Sequence, residues 1–258
     1  MAILSEIVRF VLPPTKARLS AFLKLRQQVS QSCNIHDQYF GYVIPVKSSH
    51  LRVKENEMCW VIHWPQGSSL AQNAELRAQL KELTTAATSG QAGEATSLLF
   101  PFDDSQVGEL KKALEAPVCE FAIINLTPNP PRADPSFVAS MHKTYTDCYH
   151  FAGFAGGNWA YAANTNDTAG VGVDGRNGLK GGVGDDDDAA SAGRREEVPE
   201  DERRLACYYL GWDTVEHHQE YSNTPLFFEE INKLAPYFGS GTGAWYVRFE
   251  KHSDSRES

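Results

Sequence analysis

Two stretches in the second half of the chain carry the side chains best suited to acid–base chemistry. If Pro135 to about Phe151 is helical, His142, Tyr145 and Tyr149 fall at i, i+3 and i+7 and share one stripe. Phe137, Met141, Thr144 and Cys148 form the neighbouring stripe, so one faces a core and the other a boundary or pocket wall. A histidine in a partly apolar pocket titrates near neutral pH and can take a phenolic or α-keto proton. A tyrosine beside it can hold the oxyanion that results. The plainer alternative makes His142 a surface histidine. In the second stretch, His218 and Tyr221 lie one helical turn apart, while His217 sits about 100° round the helix and is expected to face solvent. Side chains of adjacent histidines diverge on a helix and make a poor metal pair. The catalytic candidates are therefore His218, His142 and Tyr221.

Around them the second half is rich in aromatics. Tyr145, Trp159, Tyr161, Tyr208, Trp212 and Trp245, with Tyr246, are either core or the walls of a site for a flat aromatic ligand. No GxSxG, HExxH, Walker or dinucleotide fingerprint is present, and the glycine-rich Phe151 to Asn158 lacks the flanking strand and helix of a nucleotide loop, so it reads as a turn. Five scattered cysteines form no CxxC or CxxH pair, which argues against a disulfide framework, a zinc site or cysteine catalysis. The expectation is no bound cofactor and no metal.

Positioning these groups requires a fold, and the 258 residues suffice for one large domain or two small ones. The net charge is −9, but the segment 165–202 alone contributes −7 and holds eight glycines and the run Asp185 to Asp188. It reads as a disordered acidic insertion, without the spaced oxygens and closing Glu of a calcium loop. The remainder is near −2 with no basic patch, so nucleic acid is not an expected partner. No stretch of about 18 apolar residues suggests a membrane span. The opening MAILSEIVRFVLPP lacks a basic n-region and a small-residue cleavage site, so it reads as a strand, with cytosolic localisation as the default.

Apart from the insertion, the chain repeats itself. The first half reads as strand 6–12, a helix carrying Leu19, Phe22, Leu23, Leu25 and Val29, strands 39–44 and 58–64, helix 69–88 and strand 97–102. A helix over 105–115 leads to the second half: strand 118–127, helix 135–151, strands 158–163 and 205–212, helix 213–234 kinked or divided at Pro225, and strand 244–250. Both third strands end in tryptophan, CWVIHW at Cys59 to Trp64 and CYYLGW at Cys207 to Trp212, and both first strands end in prolines. The boundaries follow as 1–103, a linker helix 104–117, and 118–252. Strands such as Ala206 to Trp212 are apolar on both faces. That predicts helices covering one face and the other half's sheet covering the second.

The segment LACYYLGW-DTVEHHQEYSNTPLFFEEI, Leu205 to Ile231, resembles the antibiotic-biosynthesis-monooxygenase type of the dimeric α/β-barrel superfamily. The likeness lies in a tryptophan at a strand end, an acidic helix start, histidines in the next two turns, and a small-polar-aromatic break. His218 matches the family's histidine best, and Tyr221 stands where many members carry a second His. The first half resembles the family faintly, and the fused form with an acidic insertion is similar to fungal proteins of this superfamily. The resemblance implies an α+β fold of two tandem ferredoxin-like βαββαβ repeats closing an intrachain dimeric α/β-barrel, as a monomeric pseudo-dimer or a homodimer. It implies a cofactor-independent monooxygenase acting on an aromatic or polyketide-type small molecule in secondary metabolism. The alternatives are a non-oxidative cyclase, dehydratase or decarboxylase of the same fold, or a non-catalytic binding or assembly protein. Haem-degrading relatives use Asn, His and Trp together; here Asn158-Trp159 does not follow their order.

Overall fold

The computed structural model describes residues 2–46, 53–65, 67–85, 94–173 and 197–250. Its first half runs β1 (Ile3–Val11), α1 (Lys16–Cys33), β2 (Gln38–Ile44), β3 (Glu57–Pro65), a 3-10 turn and α2 (Ala74–Thr85), then β4 (Thr96–Phe102). Helix α3 (Asp104–Glu115) leads into β5 (Val118–Asn125), α4 (Pro135–Thr146), β6 (Phe154–Tyr161) and the short β7 (Val171–Gly172). The chain then forms β8 (Leu205–Trp212), α5 (Val215–Ser222), α6 (Pro225–Leu234) and β9 (Gly243–Val247).

Local chemistry accounts for the helix ends. Thr15 caps α1 by accepting from the Arg18 amide, and Asn34 ends it at φ 54°. Phe22, Leu25, Arg26 and Val29 form its buried stripe at i, i+3, i+4 and i+7, whereas Leu23, expected on that side, is exposed. Asp134 caps α4 with Pro135 in its first turn. The expected long helix after Trp212 is divided rather than kinked: Thr224 accepts from the Phe227 amide and Pro225 opens a new helix. Likewise the helix expected over 69–88 is a 3-10 turn at Leu70–Gln72 followed by α2, with 86–88 outside the described residues.

The sheet order is β6-β8-β5-β9-β2-β3-β1-β4-β7, antiparallel throughout. Each repeat contributes four strands in the same relative order, joined where β9 pairs with β2. The other seam is bridged by the Ala163 amide, which donates to Leu99 O of β4 at 2.7 Å. The result is a barrel with every helix but α3 outside, a duplicated ferredoxin-like α+β fold. Strands β3 and β8 are buried along almost their whole length, as strands between two packed layers must be. Side chains of β8 alternate: Leu205, Cys207 and Tyr209 point into the barrel, and Ala206, Tyr208, Leu210 and Trp212 toward α4 and α5. Inside, Tyr209 spans the two halves by donating to Ser5 Oγ at 3.1 Å.

The linker helix does more than connect. Leu110, Ala113 and Leu114 of α3 belong to the barrel's interior core, so the helix plugs one end. A Cβ on Gly211 would lie 2.7 Å from Ala113 Cα, so glycine there lets the two backbones meet. For the same reason Phe154 to Asn158, expected to belong to a turn, is strand, with Gly156 against Lys112 of α3.

The acidic insertion is ordered at both flanks, contrary to expectation. Val171 and Gly172 pair with Ser97 and Thr96 of β4, Val173 is buried, and the Val198 amide donates to Ala163 O. These flanks are held by the buried Val173 side chain and by backbone partners. Residues 174–196 lie outside the described residues.

Candidate functional site

A buried acid marks the same place in each repeat. In the first, Glu6 on β1 accepts from Trp64 Nε1 at 2.7 Å, from the Leu70 amide at 2.8 Å and from Ser97 Oγ at 2.6 Å. In the second, Glu120 on β5 accepts from Trp212 Nε1 at 2.9 Å, and its other oxygen lies 3.2 Å from His218 Nε2. The registers agree: Trp64 pairs with Leu4 and Trp212 with Val118, each two residues before its glutamate. Duplication therefore extends to a buried carboxylate–indole pair.

The surroundings differ. His218 stands six residues after Trp212, as Leu70 stands six after Trp64. Thr214 starts α5 by accepting from the His217 amide, which sets the helix so that His218 turns toward the sheet. Its Nδ1 lies 2.6 Å from the Tyr246 hydroxyl on β9. A carboxylate beside Nε2 favours a hydrogen on that nitrogen, and in that tautomer Nδ1 accepts from Tyr246. Glu120, His218 and Tyr246 thus form one line, an ionic contact at one end and a hydrogen bond at the other. Burial raises the Glu120 pKa above the ordinary carboxylate value, against the opposing pull of His218 and the Trp212 indole. Burial, with the Glu120 charge, also pushes the Tyr246 phenol up, so it is protonated at neutral pH.

All three side chains line a cavity of about 810 Å³ between the outer face of β5 and β9 and helices α5 and α6. Ile124, Leu210, Phe227 and Phe238 supply apolar wall, with Asn223 and Thr242 among its polar groups. This size and mixture suit a small organic ligand. Tyr221, almost fully buried, also lines it, and its ring packs on Trp212 and Phe227.

The other sequence candidates lie elsewhere. His142 is exposed on α4, its ring edge-on to Tyr145 at 4.9 Å. Tyr208 donates to Met141 O at 2.7 Å and stacks on Trp159, which meets Tyr161. Trp245 faces the barrel interior, stacked on Phe121 and beneath Arg9. Asn158 and Trp159 point to opposite faces of β6, Asn158 receiving Gln106 from α3, so they do not converge on one site with His218. His218 also has both ring nitrogens engaged, which does not suit an axial haem ligand. His217, expected in solvent, packs its ring against Gly153 with Nδ1 buried. Cys59, Cys119 and Cys207 lie in the barrel interior, where burial pushes the Cys59 thiol up to about 12. Among the described residues no group of three or more His, Cys, Asp or Glu side chains is placed to hold a metal ion, and no helix is long and apolar enough to cross a membrane.

Sequence reasoning missed Glu120 altogether and counted Tyr246 only among the aromatics. The available signal was a lone acid inside an apolar strand in each half, SEIVRF and CEFAII.

No protein-family model and no curated protein matches the sequence. Among solved structures, an anthrone oxidase-like protein aligns with a TM-score of 0.53 at 10% identity, covering 96% of this chain and 92% of that one. The likeness is one of fold. Two proteins each called a "putative monooxygenase" align more loosely. The one from Fusobacterium nucleatum has a TM-score of 0.48 at 6% identity, covering 97% of this chain and 93% of that one. The one from Lactobacillus acidophilus has 0.47 at 8%, covering 97% and 94%.

Proposed function

We propose that the protein is a cofactor-independent monooxygenase-like enzyme of the antibiotic-biosynthesis-monooxygenase type, acting on an aromatic or polyketide-type small molecule in secondary metabolism. The observation that carries this reading is the Glu120–His218–Tyr246 line on the wall of a largely apolar cavity. An oriented imidazole backed by a buried carboxylate supplies general-base chemistry, directly or through a hydroxyl hydrogen-bonded to it. The base removes an acidic hydrogen from a phenol, or from carbon between aryl or carbonyl groups, leaving a delocalised anion. That anion gives one electron to dioxygen, the radical pair combines, and the hydroperoxide collapses. For a methylene, one dioxygen is consumed: one of its atoms becomes the carbonyl oxygen, and the other leaves as water with the two methylene hydrogens. The apolar wall keeps water from the radical pair, and Trp212 packs edge-on against His218 with Tyr221 beside it. The proposal places the base chemistry on the Glu120–His218–Tyr246 line rather than at the exposed His142.

The test is oxygen uptake with anthrone by metal-stripped protein. We expect uptake to fall by about 10²–10⁴-fold in His218→Ala and to be unchanged in His142→Ala. Turnover of the same ligand without oxygen would replace this reading with a non-oxidative cyclase or decarboxylase; binding without turnover would replace it with a ligand carrier.

A further inference from the structure

We infer that Tyr246, not His218, is the catalytic residue that meets the substrate's acidic hydrogen, with His218 and Glu120 acting behind it as a proton relay. The inference rests on the proposed base chemistry and names the atom that performs it. Nε2 of His218 is committed to the Glu120 carboxylate and Nδ1 to the Tyr246 hydroxyl, so a substrate has no free lone pair on the imidazole. The Tyr246 oxygen keeps a lone pair, and its side chain lines the cavity.

Proton transfer then runs in one direction. The substrate hydrogen passes to Tyr246 Oη as the phenol hands its own proton to His218 Nδ1. The tyrosine ends neutral, the substrate ends as an anion, and the imidazolium is left facing the Glu120 carboxylate. No charge accumulates on the phenol, whose buried setting opposes a free phenolate. Groups that fit this step are phenols, enols, and carbon acids flanked by aryl or carbonyl groups.

The first repeat shows that the two relay members come as a pair. Leu99 pairs with Glu6 as Tyr246 pairs with Glu120, and Leu70 occupies the position of His218. There the glutamate is closed off by Ser97 Oγ and the Leu70 amide. Tyrosine and histidine are thus both present or both replaced.

The experiment separates proton abstraction from oxygenation by following anaerobic exchange of the anthrone methylene with heavy water by NMR. Wild-type protein should accelerate exchange, and Tyr246→Phe and His218→Gln should each lower it by about 100-fold. The double variant should be no slower than the slower single one, as for residues acting as a unit. Incorporation of 3-fluorotyrosine at position 246 keeps the hydrogen bond to His218 and the fold while changing phenol acidity, and should change the rate. Tyr246→Phe within threefold of wild type, multiplicative losses in the double variant, or no response to fluorination overturns the relay. Exchange with the expected pattern but no oxygen uptake keeps the relay and removes the oxygenase reading. No exchange by the wild type overturns both.

Discussion

Glu6 and Glu120 occupy equivalent register positions in the two repeats, each receiving the indole N–H of the tryptophan that ends the third strand. One is sealed by neutral donors and the other faces a histidine and a cavity. Their removal should therefore have different consequences. Glu6→Leu strands three buried donors and should destabilise the protein by roughly 3 kcal/mol or more, read by urea unfolding, while folded molecules keep their ligand affinity. Glu120→Gln keeps the shape and the Trp212 bond but leaves the imidazolium without its counter-charge. Turnover should fall about 100-fold with little change in the unfolding midpoint.

Acid should loosen the helical layer over the cavity in a defined window. Glu230 on α6 is held by Lys143 of α4 at 2.7 Å and by Lys233 at 3.0 Å. Burial works against its ionisation, but hydrogen bonds from Lys143, Ser140 and Lys233 outweigh it and bring its pKa down to about 2. The folded value lies below the unfolded one near ~4.3, so the stabilisation is complete above that pH and is lost as pH falls toward about 2. Thermal melts between these limits should show the decline in wild type and a flatter profile in Glu230→Gln.

Gly211→Ala tests the plug. The added carbon would meet Ala113 and Ala116 in and just after α3, both within 3 Å. Overpacking of this kind costs about 1–3 kcal/mol, and here it should fall on the seating of α3. A lowered melting temperature with faster amide exchange over Asp104–Glu115 is the expected result; protection unchanged in α3 would refute it.

The cavity should prefer uncharged ligands. Among the described residues lining it, Glu120 supplies the full acidic charge and the other polar groups are hydroxyls, amides and an imidazole. Burying a ligand carboxylate there without a cationic partner is costly. Quenching of tryptophan fluorescence should show 3-hydroxy-2-naphthoate binding at least about tenfold more weakly than 2-naphthol, a difference of roughly 1.4 kcal/mol. Glu120→Gln should narrow the gap, and equal affinities in wild type would sink the idea.

The repeat was legible because the strand-ending tryptophans and the element order are local patterns, visible before any contact is known. Pro135 announced a helix start for the same reason, and Pro225 a kink or division, which the cap from Thr224 makes a division. His218 and Tyr221 were legible at helical spacing, and both line the cavity. Glu120 and Tyr246 were not, because what makes them a pair with His218 is strand register. β5 lies beside β9 only once the barrel is assembled, and no spacing in the sequence expresses that adjacency. The same limit explains Trp245, whose aromatic character suited a pocket but whose side of β9 faces the barrel interior.

The replacement of histidine and tyrosine by Leu70 and Leu99 has a consequence for stoichiometry. A barrel assembled from two identical subunits would offer two equivalent sites and would titrate as such. Here the tether makes the halves independent in sequence, and a single polypeptide should saturate with one molecule of ligand.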